Sequence, residues 1–331
     1  MAEFFSNYAL FAAKWVTAAI IIIFVVSIIT SMRRKSHVGD QLTVDNLSEK
    51  LLNRARQVKM ELTPKKQHKA LNKSFDDALK AIHQTDKAKR VFVIDFKGDI
   101  QASAVSSFRE EVTAILSVAE KDDEVLVRLE NAGGLVHDHG LAASQLARLR
   151  ERGIPMTVAV DKVAASGGYM MACVADHIIA APFAVIGSIG VIAQLPNFHR
   201  LLDRSGIDFE QVMAGKHKRS VTFFGENTDA DRAKLKHELE ELHTLFKSMV
   251  SQYRPQLDIE AVATGESWFG QQALPKKLID EIGTSDDYLL QKAEQANVYR
   301  LHYQPKCGWR DRMLGQAQSL LNPNWFAAFK R

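Results

Sequence analysis

The sequence predicts an α/β fold preceded by a membrane anchor, and three observations carry that prediction. Short β-prone runs at Val91-Phe92-Val93-Ile94-Asp95-Phe96, Glu124–Glu130 and Pro155–Val160 are bounded by turn residues. Stretches with apolar residues at helical spacing follow them, as in Gly140–Glu151, where Leu141, Leu146 and Leu149 share one side. Ahead of all of these, Trp15 to Met32 is an 18-residue run without a charged side chain.

At about 1.5 Å per residue that run spans most of a bilayer core of about 30 Å. Residues 8–13 extend it, Lys14 can snorkel, and Trp15 suits an interface. The apolar run is long and no Ala-x-Ala site follows it, so a retained anchor over residues 8–32 is expected rather than a cleaved signal peptide. Arg33-Arg34-Lys35 come directly after it, with Lys50, Arg54, Arg56 and Lys59 close behind. By the positive-inside rule, the bulk of the chain then faces the cytoplasm. Residues 33–88 read as a basic polar linker with short helices near Val44–Glu61 and Phe75–Gln84. These helices suit an anionic lipid surface or a tether.

The first core strand at Val91 opens a domain over residues 89–303. The strand at 124–130 runs into Asn131-Ala132-Gly133-Gly134, whose glycines let backbone N–H groups face an anion. A Gly-Gly pair alone is weak, but here it recurs one βαβ unit before a second small-residue turn. That second turn, Ala164-Ala165-Ser166-Gly167-Gly168-Tyr169, follows the strand at 155–160 and precedes a helical pattern through Met170, Met171, Cys173 and Val174. Strand, tight serine turn and helix together expose a hydroxyl for nucleophilic attack. A close-packed turn without chemistry is the bland alternative.

An activated serine needs a base. A Ser-His-Asp arrangement is set aside for want of a suitable histidine. His137-Asp138-His139 sits at a helix start, His177 lies at the far end of the serine's helix, and His199 follows Pro196-Asn197 with no assigned place. His137 and His139 also find no third metal ligand. The basic stretch Gly215-Lys216-His217-Lys218-Arg219-Ser220 offers a lysine instead, and spacing does not choose among Lys216, Lys218 and Arg219. A lysine base must be neutral, so activity is expected to rise with pH. Ser188, flanked by glycines in Gly187-Ser188-Ile189-Gly190-Val191, either orients a buried polar group or fills a turn.

These motifs, in this order, resemble the signal peptide peptidase A family of serine–lysine membrane proteases. Thr264-Gly265-Glu266-Ser267-Trp268-Phe269-Gly270-Gln271-Gln272-Ala273 and Leu278-Ile279-Asp280-Glu281-Ile282-Gly283 add to the resemblance, which covers roughly residues 90–290. It implies a ClpP/crotonase-like fold of repeated ββα units and a serine endopeptidase acting on peptides or membrane-protein fragments. Ser166 matches the family nucleophile, Lys218 the general base and Ser188 the residue that orients that lysine. Gly133 and Gly167 match the oxyanion-hole donors. The resemblance further implies a bacterial inner membrane location, with a protease domain that commonly faces the periplasm, against the charge bias. It implies homo-oligomers whose sites form between protomers. One departure stands out: the family's Ser-Pro-Gly-Gly turn reads Asn131-Ala132-Gly133-Gly134 here.

Two other readings compete. A crotonase-type acyl-thioester enzyme would use the same oxyanion hole but needs pocket carboxylates rather than a serine–lysine pair. A ring-forming scaffold would have lost its chemistry, against which the intact Ser166, Lys218 and Ser188 count.

The uncharged run Ile178–Leu195 mimics a second membrane span. It contains Pro182, Gly187 and Gly190, and a crossing there would place Ser166 and Lys218 on opposite sides of the membrane, so buried strands are expected. Residues 229–252 read as a long helix capped by Thr228. The tail, residues 304–331, mixes Trp309, Trp325 and Phe326 with Arg310 and Arg312, and suits a membrane or another protomer. Of the two cysteines, Cys173 reads as a packing residue. The formal net charge of +4 gives no case for nucleic acid, and no cofactor motif is found.

Overall fold

The computed structural model describes residues 15, 17, 41–84, 89–215, 218 and 220–305. The expected anchor and C-terminal tail lie outside these residues, apart from Trp15, Thr17, Gln304 and Pro305. Among the described residues no helix is long and apolar enough to cross a membrane. Residues 43–303 form one compact unit.

Its elements run β1 (Gln41–Asn46), α1 (Leu47–Leu62), α2 (His68–Gln84), β2 (Arg90–Lys97), α3 (Val105–Val118), β3 (Glu124–Glu130), α4 (Val136–Glu151) and β4 (Met156–Val160). There follow β5 (Val163–Ala165), α5 (Gly167–Ala172), β6 (His177–Ala180), β7 (Val185–Gly187), α6 (His199–Arg204) and α7 (Asp229–Tyr253). The unit closes with α8 (Ile259–Val262), β8 (Ser267–Phe269), α9 (Gly270–Ala273), β9 (Glu281–Ile282), α10 (Ser285–Ala293) and β10 (Asn297–Gln304).

The main sheet has the order β1-β10-β2-β3-β4-β6-β9, and β10 through β9 pair parallel. A parallel sheet buries both faces, and β2 shows the consequence. Phe92, Ile94 and Phe96 point into the larger core beneath α3, α4 and α5, whereas Val91 and Val93 pack with Leu126, Ile179 and Leu289 on the other face. The segment read as a linker adds β1 to the sheet edge and docks α1. There Thr43 Oγ1 donates to His302 O, and Ser48 Oγ accepts from the Val298 N–H. Of the two helices expected in it, the first begins later, at Leu47, because Val44 belongs to β1, and the second begins earlier, at His68 rather than Phe75.

A second, three-stranded sheet holds β5, β7 and β8, with β5 parallel to β7 and β8 antiparallel to it. The strand ending at Val160 therefore does not lead straight into the serine turn. Asp161-Lys162 turns the chain into this small sheet first, and β5 carries it to Ser166. The run from Ile178 forms strands β6 and β7, as expected, with no membrane helix. Burial ends at Ile189, and Ile192 is 75% exposed. The expected cap of α7 is present: Thr228 Oγ1 accepts from the Asp231 N–H, and the Asp231 carboxylate accepts from the Thr228 N–H. Cys173 is fully buried, and burial pushes its thiol up to about 12, which leaves it inert.

At the end of α7, Arg254 Nη1 and Nη2 donate to the two Asp280 oxygens at 2.7 and 2.8 Å, and Nη2 also reaches Lys277 O. Asp280 Oδ2 accepts the Ile178 N–H as well. Burial works to raise the Asp280 carboxyl, but the bonds from Arg254 and Ile178 outweigh it and hold the carboxyl below its usual range. Its contribution to stability is therefore present at neutral pH and is lost as pH falls through that lowered value. Arg254→Met, which strands the carboxylate, is expected to cost about 3–5 kcal/mol in urea denaturation at pH 7. The deficit should shrink in acid; an equal loss at pH 7 and in acid would show that the pair is not its source.

Candidate active site

The serine turn sits where β5 hands over to α5, and its backbone is strained. Ser166 adopts φ 51° and ψ −119°, a conformation that side chains rarely take. Two hydrogen bonds hold it there. The Ser166 N–H donates to Gly187 O at 2.8 Å, and Ser166 O accepts from the Met170 N–H at 2.9 Å. Small residues are needed because other backbone closes on the turn: a methyl group on Gly168 would lie 2.2 Å from Asn131 O. The serine itself is half-buried.

The Gly133 turn meets Ser166 across the end of β3. Gly133 has φ 93°, and a methyl group there would lie 2.7 Å from Ser166 Cβ and 3.0 Å from Gly167 N. The two turns are also tied by the Ala165 N–H donating to Asn131 O and the Asn131 N–H donating to Val163 O. Gly167 opens α5, so its N–H lies outside the helical ladder. The Gly133 N–H instead donates to Asn131 Oδ1 at 2.6 Å.

Ser188 is a near neighbour by register. Ala165 pairs with Gly187 across β5 and β7, and Ser188 follows with φ 51° while its N–H donates to Glu266 O at 2.6 Å. The structure therefore gathers Ser166, Ser188, Gly133 and Gly167 at one end of the sheets. No hydrogen bond among the described residues ties Lys218 to them. Lys218 is exposed on the loop between α6 and α7, its N–H donates to Gly215 O, and its side chain makes no hydrogen bond or ion pair among the described residues. The same arm carries the exposed apolar residues Phe198, Leu201, Phe209, Val212, Phe223 and Phe224.

Of the histidines set aside, His177 opens β6 at the opposite end of the sheet and bonds Glu281, while the His199 N–H merely donates to Asn197 Oδ1. His139, which the sequence places only at a helix start, lies against the site. It is fully buried beneath the serine turn, where a methyl group on Gly167 would lie 2.4 Å from its Cγ. In the sequence Asn131 reads only as a departure in a turn, yet its side chain stands between His139 and Gly133. The signal for both was polarity at two positions flanking a glycine turn, which spacing does not convert into a contact.

The fold and the family matches together define the class as a protease built on an α/β scaffold. The profile described as Peptidase family S49 N-terminal matches residues 3–146, and that of Peptidase family S49 matches residues 148–299. The chain belongs to peptidase family S49, which bears out the resemblance read from its motifs. It is 49% identical over 319 residues to the "Probable protease SohB" of Haemophilus influenzae, covering 92% of this chain and 90% of that protein. With the "Probable protease SohB" of a Buchnera aphidicola subspecies it shares 49% identity over 299 residues, 90% of this chain and 89% of the other. Among solved structures, a substrate-peptide complex of the 1510-N membrane-bound stomatin-specific protease is similar over 70% of this chain and 99% of that one, at a TM-score of 0.44 and 15% identity.

Proposed function

We propose that the chain is a membrane-anchored serine endopeptidase that cleaves peptides or membrane-protein fragments through an acyl-enzyme. The observation that carries this reading is the Ser166 elbow, a strained serine between strand and helix with Gly133 packed against it. Ser166 is the nucleophile, Lys218 the general base, and Ser188 the residue that holds the lysine in line. Neutral Lys218 Nζ takes the proton as Ser166 Oγ bonds to the peptide carbonyl carbon, and the carbonyl electrons move to oxygen. The Gly133 and Gly167 N–H groups hold that oxyanion. The C–N bond then breaks, Lys218 returns the proton to the leaving amine, and water repeats the sequence to free the acid.

The fold is of the ClpP/crotonase kind, and the working enzyme is a homo-oligomer in which the lysine arm of one protomer serves the serine of the next. Two observations support this. The Lys218 side chain is exposed and makes no hydrogen bond or ion pair among the described residues, and its arm presents apolar side chains that a second copy would cover. Residues 8–32 anchor the enzyme in a bacterial inner membrane, with the catalytic unit on the cytoplasmic side by charge bias.

Fluorophosphonate labelling of the detergent-solubilised chain, beside Ser166→Ala, tests the reading. Labelling confined to the wild type is expected. An unlabelled wild type, under conditions that label a control serine–lysine protease, would favour the acyl-thioester or scaffold readings.

A further inference from the structure

The smaller core of the main sheet ends in charge. On the face away from α4 and α5, Val298, Val93 and Leu126 pack together on β10, β2 and β3. Two residues further along each strand, the same face presents Arg300, Asp95 and Arg128, because side chains alternate along a strand. Residues of α1 and α10 close over this end. From α1 come Leu47, Lys50, Leu51 and Arg54, at the i, i+3, i+4, i+7 spacing of one stripe, and from α10 come Asp286, Leu289 and Leu290. They leave a crevice of about 390 Å³. Small-molecule sites fall in the range of roughly 300–1,000 Å³.

Four cations, Lys50, Arg54, Arg128 and Arg300, line the crevice against one carboxylate, Asp286. Two of the cations already have partners. Lys50 Nζ lies 2.7 Å from Asp45 Oδ1, and Arg128 donates to both Asp95 oxygens at 2.5 and 2.8 Å. The other two are unspent. Arg300 Nε is buried without a hydrogen-bond partner, and the carboxylate oxygens of Asp95 and Asp45 stand 3.6 and 3.9 Å from it, too far to accept. Arg54 is exposed and makes no hydrogen bond or ion pair among the described residues. Arg56, two positions along the same helix, instead bonds both Asn72 and Asp76. An unmet buried donor costs stability, and a ligand that brings oxygens to it recovers that cost.

We propose that the crevice between α1 and α10 is a binding site for a phosphate ester with an apolar arm. Arg54 and Arg300 hold the phosphate oxygens, and Leu47, Leu51 and Leu289 cover the arm. A tetrahedral phosphate accepts from a helix and a sheet at once, where a planar carboxylate takes one guanidinium fork. A bilayer phospholipid and a soluble glycerophosphate share this chemistry, and the leucines favour the phospholipid. The site goes beyond the serine reading and does not depend on it, since it lies on the other face of the sheet and needs no turnover.

The test is a melting titration of the full chain in dodecyl maltoside micelles, because a ligand that binds only the folded chain raises the melting temperature with its concentration. Phosphatidylglycerol should raise it, and a diacylglycerol with the same chains, which lacks the phosphate, should not. Arg54→Gln alters an exposed side chain without partners, so the protein should fold and melt as wild type in the absence of lipid. It should weaken phosphatidylglycerol binding about ten- to hundredfold, the scale of a lost charge-assisted hydrogen bond. Arg56→Gln removes the same charge from the same helix and should keep the wild-type lipid response, whatever it does to melting without lipid. Equal losses in the two variants would trace the effect to the basic surface of α1 and overturn the site, as would a wild-type response in Arg54→Gln.

Two soluble ligands separate the chemistries. Glycerol 3-phosphate should bind weakly, because it leaves the leucines uncovered. Binding as tight as that of the lipid would overturn the apolar arm and assign the site to a soluble phosphate ester. Laurate carries the arm with a carboxylate, and its binding as tightly as phosphatidylglycerol would overturn the phosphate. No arm of the test reads proteolysis, so an inactive Ser166 would leave every outcome in place.

Discussion

Ser166→Ala is expected to lower peptide hydrolysis by at least about 10⁴-fold, and Lys218→Ala by a comparable factor, because nucleophile and base act as one unit. The serine substitution deletes one half-buried oxygen that makes no hydrogen bond among the described residues, so thermal melting should be unchanged. The lysine substitution falls on an exposed loop and should be equally silent in melting. Mixing the two inactive variants extends the prediction. A lysine delivered between protomers regenerates intact serine–lysine pairs in mixed oligomers, and activity returns. If each variant is dead alone and the mixture stays dead after subunit exchange, the pair lies within one chain and the arm must fold back. If Lys218→Ala keeps full activity, the base has been misassigned.

The elements that position the site were legible because local chemistry decides them. The Ser166 elbow announces itself by small residues between two apolar runs, and α7 by its capping Thr228 and its periodic apolar side chains. The structure agrees in both places. What spacing did not disclose depends on contacts between distant parts of the chain. β5 is three residues long and gains its strand character by pairing with β7, so a strand running directly into the serine turn is the simpler reading of the sequence. The segment before Val91 reads as polar linker because α1 is mostly exposed. Its place is fixed instead by Ser48 bonding Ala296 and Val298, some 250 residues away in sequence. The Asn131–His139 contact is a subtler case. Each residue reads locally as an ordinary turn or helix-start residue, and only the folding of α4 under the serine turn brings them into contact.

A graded series of glycine substitutions separates chemistry from folding at this site. Gly133→Ala is expected to lower the fluorophosphonate inactivation rate by roughly 10²–10³-fold, the scale of losing one oxyanion donor. The residue sits at φ 93°, a conformation closed to alanine, and its methyl group would press on Ser166 Cβ at 2.7 Å. Relief must come from the turn itself, which moves the N–H away from the developing charge. Gly134→Ala makes the contrast. Its methyl group would fall 2.0 Å from Ile100 O, on the backbone that receives the Leu135 N–H, so the loss should appear first in stability. Gly140→Ala closes the series, since a methyl group there meets nothing within 4 Å in the middle of α4. It should raise stability by up to about 1 kcal/mol and leave the rate alone. The three variants are to be compared by inactivation rate and urea midpoint together. A Gly133→Ala protein that inactivates at the wild-type rate would remove Gly133 from the oxyanion hole, and with it the reason for its place against Ser166.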